Sequence, residues 1–237
     1  MSKPALSASQ QRECEGLAQV VAPELAAGPL YVTNLPANYP DVGDTMAFTT
    51  RGAFDFALRR HLIDKGRWRG PGTVIAFCQP MSRDEALGLV LHEVSHAVPF
   101  VDPPLDFDPS PAIELAQRQL VEGLLVQPVG ASPAMPLWYA EHGLQFVRRC
   151  LHVHHRAWQA GFEVGLPMIG FAGEGYDLSL AWRYLRAIGD EPERMAATSF
   201  RVIDATPAPT EFSDLFQSDI RDWCERTGRE LTHVYAA

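Results

Sequence analysis

The amino-acid sequence predicts an α+β fold: a small mixed-sheet lobe over residues 1–100 carrying one long apolar helix, then a mainly helical lobe over residues 101–237, the two forming one unit around a cleft. Three observations support this. Short runs rich in β-branched and aromatic residues, bounded by Gly and Pro, lie before residue 80. Helical periodicity dominates beyond residue 111. Between the two regions, the run from Leu87 to Val98 is apolar almost throughout, as in a buried helix.

Residues 10–27 read as a first helix, 30–34 and 46–50 as strands, and 53–64 as a second helix. Thr73-Val-Ile-Ala-Phe-Cys78, between Gly72 and Pro80, reads as another strand. Ser82 with Glu85 three residues later is a capping box, so a helix starts there and packs on the sheet. Pro99 is expected to end it. The acidic, proline-rich stretch 101–111 cannot be a central helix or strand and is expected to rim the cleft. Residues 112–126, 136–160, 178–188 and 211–226 then read as helices, the last closed by Gly228.

Composition narrows the classes. With 237 residues, 46% hydrophobic and 21% charged, the chain can bury a sizeable core. A net charge of −9 and no extended basic stripe make nucleic acid a poor partner. No apolar run reaches the ~18–20 residues that span a bilayer, and the first residues lack an apolar signal core, so no membrane partner and a cytoplasmic location are expected. Cys14, Cys78, Cys150 and Cys224 are scattered without a C-x-x-C pair, which reads as reduced thiols.

The most informative feature is His92-Glu93-Val94-Ser95-His96. Four residues advance an α-helix by one turn plus about 40°, so His92 and His96 share a face and can grip one metal ion. Glu93 sits about 100° round, placed to take a proton from a water on that metal. The flanking residues Leu89, Val90, Leu91, Val94, Ala97 and Val98 mark a buried helix. Two histidines and a glutamate are costly in such a setting unless partners satisfy them, and a metal satisfies all three. The pattern points to a mononuclear Zn2+ hydrolase with Glu93 as general base.

A third ligand is needed, and three candidates stand in the sequence. Glu141 lies in Pro136-Leu-Trp-Tyr-Ala-Glu-His-Gly-Leu-Gln-Phe146, early in another apolar helix. His142 follows it and reaches the same point after a small helix rotation. Asp102 would follow a turn at Pro99, as in metzincin-like enzymes, but that turn normally needs a glycine with positive φ and Pro99 is fixed near −65°. Glu141 is preferred to Asp102 on this physical objection, and the choice between Glu141 and His142 stays open.

An HExxH helix followed some tens of residues later by a Pro-x-Trp-x-x-Glu helix resembles the gluzincins, the thermolysin- and aminopeptidase-like zinc metallopeptidases. The resemblance spans residues 73–190 and implies a zincin-like fold with His92, His96 and Glu141 as metal ligands and Glu93 as the catalytic glutamate. It further matches Tyr176, at the head of a helix running to Gly189, to the tyrosine that donates to the oxyanion. The chain departs from the family at His142, where the family has Gly, and at Gln145, where some members have an aspartate that orients a ligand histidine. Asp102, Asp106 or Glu114 would have to orient it instead.

Two other clusters invite plainer readings. His152 and His155 are expected to be solvated residues late in a helix, and the basic stretch 59–69 a solvated face. The implied function is zinc-dependent hydrolysis of a peptide or protein substrate; no exopeptidase anchoring motif supports an amino-terminal site, and the short first lobe favours an endopeptidase. The competing class is a non-catalytic zinc-stabilised structural or interaction protein of the same fold. The intact Glu93 argues against it, because a closed structural site needs no base beside the metal.

Overall fold

A computed structural model describes residues 4–43, 45–51, 55–101, 142–169 and 178–227. Within them, helix α1 (Ala8–Val21) leads through a 3-10 turn (Pro23–Ala27) to strands β1 (Leu30–Asn34) and β2 (Ala47–Arg51). Helix α2 (Phe56–Asp64), strand β3 (Thr73–Phe77) and helix α3 (Arg83–Val101) follow. The second part of the chain adds α4 (Leu144–Gln159), α5 (Leu178–Ile188), α6 (Glu191–Arg194), α7 (Phe200–Ala205) and α8 (Thr210–Thr227). No described helix is long and apolar enough to cross a membrane.

The sheet is mixed, in the order β1-β3-β2. β1 runs parallel to β3, from Leu30 opposite Thr73 to Asn34 opposite Phe77, and β2 runs antiparallel to β3. All five residues of β3 are buried because helices cover both faces of this central strand, which is why it reads as an unbroken apolar run. Ile75 and Phe77 face the main core with Leu30 and Val32, whereas Val74 and Ala76 face a smaller cluster with Tyr31, Leu58 and Leu62. The outer edge of β1 is closed by side chains. The Val32 amide donates to Glu15 at 3.0 Å, its carbonyl accepts from Arg67 at 3.1 Å, and Arg69 donates to the Leu30 carbonyl at 2.9 Å. Part of the basic stretch 59–69 thus caps a sheet edge that would otherwise offer unpaired groups to another chain.

The main core joins both halves of the chain. Leu17, Ala18 and Val21 of α1 and Leu87, Val90, Leu91, Val94, Ala97 and Val98 of α3 pack with Val153 and Ala157 of α4 and Phe200 and Ile203 of α7. A second cluster unites Phe146, Val147, Cys150 and Leu151 of α4 with residues of α5 and α8. Helix α4 is therefore central, and its residues from Phe146 to His154 are all buried.

Three expectations need correction. The helix foreseen over residues 10–27 breaks at Ala22, because Pro23 has no amide hydrogen and disfavours helical geometry in the residue before it; Ala22 sits at φ −136°. Helix α3 does not stop at Pro99 but runs through it to Val101. His152 is fully buried rather than solvated, its Nε2 2.8 Å from Glu191 Oε1, in a network where Arg148 makes a two-point ion pair with the same carboxylate at 2.8 and 3.1 Å. Arg148 also donates to the Ile203 and Thr206 carbonyls. The network is built from α4, α6 and α7, so no local pattern announces it. His155, at the edge of the same helix, is half-buried.

Candidate metal centre

The capping box foreseen at Ser82 forms: the Ser82 amide donates to Glu85 Oε2 at 2.7 Å and the Glu85 amide to Ser82 Oγ at 3.3 Å. It fixes the start of α3 and hence the rotation of the HExxH residues about the helix axis. His92 and His96, one turn apart on α3, have ring centroids 5.1 Å apart. A third ring joins them. His142, just before the Gly143 cap of α4, lies 5.2 Å from each of the other two rings, so the three imidazoles form a nearly equilateral triangle.

One ligand atom from each ring can be chosen so that all three lie within 4.8 Å of one another. The Nε2 atoms of His92 and His142 are 3.3 Å apart. A tetrahedral zinc with Zn–N bonds of about 2.0–2.1 Å separates its nitrogen ligands by about 3.3–3.4 Å, so this edge already has the length such an ion requires. Phe146, one helical turn beyond His142 and 1% exposed, underlies the triangle, its ring centroid 4.8, 4.2 and 4.7 Å from those of His92, His96 and His142. This apolar floor holds the rings without offering a competing hydrogen bond.

His92 Nδ1 lies 2.9 Å from the Met168 carbonyl oxygen. Because that oxygen only accepts, Nδ1 carries the proton and the Nε2 lone pair faces the cluster. The partner anticipated among acidic residues is thus a backbone carbonyl, which has no residue-type signature and was invisible to sequence reasoning. Burial lowers the pKa of His92, opposed by the Met168 bond. Burial lowers His96 well below the usual histidine range, with His92, His142 and Arg149 adding to it. Burial, then His92, pushes His142 down to about 3. At neutral pH the three rings are neutral, which is the ligating form.

Glu93 is 4% exposed and engages the sheet: Thr49 Oγ1 on β2 lies 2.8 Å from Glu93 Oε2 and 3.0 Å from the Glu93 carbonyl oxygen. The nearby thiols are protonated at neutral pH, since burial pushes Cys78 to about 11 and Cys150 to about 12. Ser95 Oγ donates back to the Leu91 carbonyl at 3.0 Å and so belongs to the helix rather than to the centre.

Of the residues singled out from sequence, the fold brings His92 and His96 together with His142, one of the three third-ligand candidates. Glu141, Asp102 and Tyr176 lie outside the described residues, as do Asp106 and Glu114. Comparisons with protein-family models, curated proteins and solved structures return no match.

Proposed function

We propose that this protein is a zinc-dependent hydrolase acting on peptides or proteins, with His92, His96 and His142 holding the ion and Glu93 serving as general base. The observation that carries the reading is the convergence of three neutral imidazoles, from two separate chain segments, over Phe146. The donor set fits zinc, which favours nitrogen ligands and keeps an open position beside three of them in catalytic sites. Bound there, zinc would lower the pKa of a water towards ~7 and polarise a scissile carbonyl.

The chain's own groups supply the rest. The Met168 carbonyl fixes the tautomer of His92. The Glu93 carboxylate accepts the proton of the attacking water and returns it to the leaving amine. The gluzincin resemblance offers Glu141 as a ligand and Tyr176 as the oxyanion donor, and both remain part of that resemblance. His142 is preferred as third ligand because its ring is one corner of the triangle.

The test uses fluorescein-labelled casein as substrate. Zinc-loaded protein is expected to cleave it, 1,10-phenanthroline to abolish cleavage, and added zinc to restore it. Glu93→Gln should keep the metal and lose at least about two orders of magnitude in rate. Equal cleavage by wild type and Glu93→Gln would remove the general-base mechanism, and stoichiometric zinc without cleavage would favour the structural class.

A further inference from the structure

We infer that Thr49 is a positioning residue that sets the orientation of the Glu93 carboxylate; this rests on the reading of Glu93 as the base. β2 is short, and its residues alternate between faces of the sheet. Ala47 joins the main core beneath α3, and Phe48 packs on the opposite cluster. Thr49 therefore returns to the α3 side, where its hydroxyl meets Glu93. The single hydroxyl hydrogen is shared between two acceptor oxygens of the same residue, the backbone carbonyl at 3.0 Å and Oε2 at 2.8 Å.

A contact that only stapled the strand to the helix would need the carbonyl alone. Sharing the hydrogen with Oε2 ties the side chain to its own backbone through a third group and narrows the rotamers open to the glutamate. A buried carboxylate must be met by donors, and a donor on a rigid strand also fixes where the carboxylate points. General-base catalysis needs that control, because proton transfer requires hydrogen-bond reach and misplacement by about 1 Å can cost about 100-fold. Thr49 gives up no proton in the reaction; it acts through Glu93.

Three variants separate positioning from stapling. Thr49→Val keeps the β-branched shape and removes the hydroxyl, Thr49→Ala repeats the removal without an added methyl, and Thr49→Ser keeps the donor. Crystal structures, zinc content and the kinetics of casein cleavage are measured on each full-length protein. Zinc content is expected to be unchanged in all of them. In Thr49→Val and Thr49→Ala the Glu93 carboxylate should leave its present rotamer, with kcat falling ~10- to 100-fold and KM within about twofold. Thr49→Ser should restore both the rotamer and the rate. Retention of the Glu93 rotamer in Thr49→Val and Thr49→Ala, or failure of Thr49→Ser to rescue, would overturn the inference. If wild-type protein cleaves no casein, the hydrolase reading fails, whereas the Glu93 rotamer in the variants still decides the role of Thr49.

Discussion

Arg149 Nη1 donates to the carbonyl oxygen of Ser95 at 3.1 Å. In an α-helix that carbonyl would accept from the amide of the residue four positions on, which here is Pro99 and has no hydrogen to give. The guanidinium from α4 substitutes for the missing donor, and its Nε is held by Asp204 at 3.0 and 3.2 Å. The helix that carries His92 and His96 can therefore continue past its proline, because a remote cation satisfies the acceptor inside the HExxH motif.

This arrangement can be tested by a double-mutant cycle in urea. Arg149→Met leaves the buried Asp204 without its partner and is expected to cost about 3–5 kcal/mol. Pro99→Ala should recover about 1 kcal/mol more in the Arg149→Met protein than in the wild type, because the restored amide then serves an otherwise unmet carbonyl. Strict additivity would show that the two residues do not share that acceptor.

Much of the fold was legible because its signals are local. The strand at Thr73–Phe77, the helix at Leu178–Ile188 and the capping box at Ser82 each announce themselves within a few residues. The break at Pro23 had a local signal in the proline itself, whereas two other misses depended on distant partners. Pro99 looked like a terminus because Arg149 lies far along the chain, and His152 looked solvated because Glu191, the carboxylate that meets it and Arg148, stands on another helix. The paired histidines of the centre were legible from helical spacing. The choice among third ligands was not: residues 136–160 read as one helix, whereas α4 starts at Leu144 behind the Gly143 cap, so His142 reaches the centre from the turn before the helix and not by a helix rotation.

The buried histidines give stability a defined acid dependence. Burial pushes His154 down to about 4 from 6.5, opposed by its Nδ1 contact with the Cys150 carbonyl at 2.8 Å. A folded-state pKa below the unfolded one means that the unfolded chain binds the extra proton first. The contribution is therefore complete above pH ~6.5 and is lost as pH falls towards ~4. Between pH 7 and 5 this residue alone should remove on the order of 1–2 kcal/mol. Urea titrations at the two pH values should show a smaller loss for His154→Gln than for wild type; an unchanged loss would show that His154 does not contribute.

Gly72 is fixed by close approach at the start of β3. A Cβ there would lie 2.0 Å from the Pro29 carbonyl oxygen, the same oxygen that accepts from the Thr73 amide at 2.9 Å. Gly72→Ala must separate β1 from β3 at this point and is expected to destabilise the protein by about 2–3 kcal/mol, a fall in Tm of about 5–10 °C for a chain of this size. Calorimetry decides it, and an unchanged Tm would mean that the strand ends part without cost.

The most direct measurement is the zinc content, by plasma mass spectrometry after exhaustive dialysis, of wild type, His142→Ala and Glu141→Ala side by side. If His142 completes the site with His92 and His96, wild type and Glu141→Ala carry about one zinc per chain and His142→Ala carries almost none. A full equivalent of zinc in His142→Ala, or none in the wild type, would contradict a three-histidine centre.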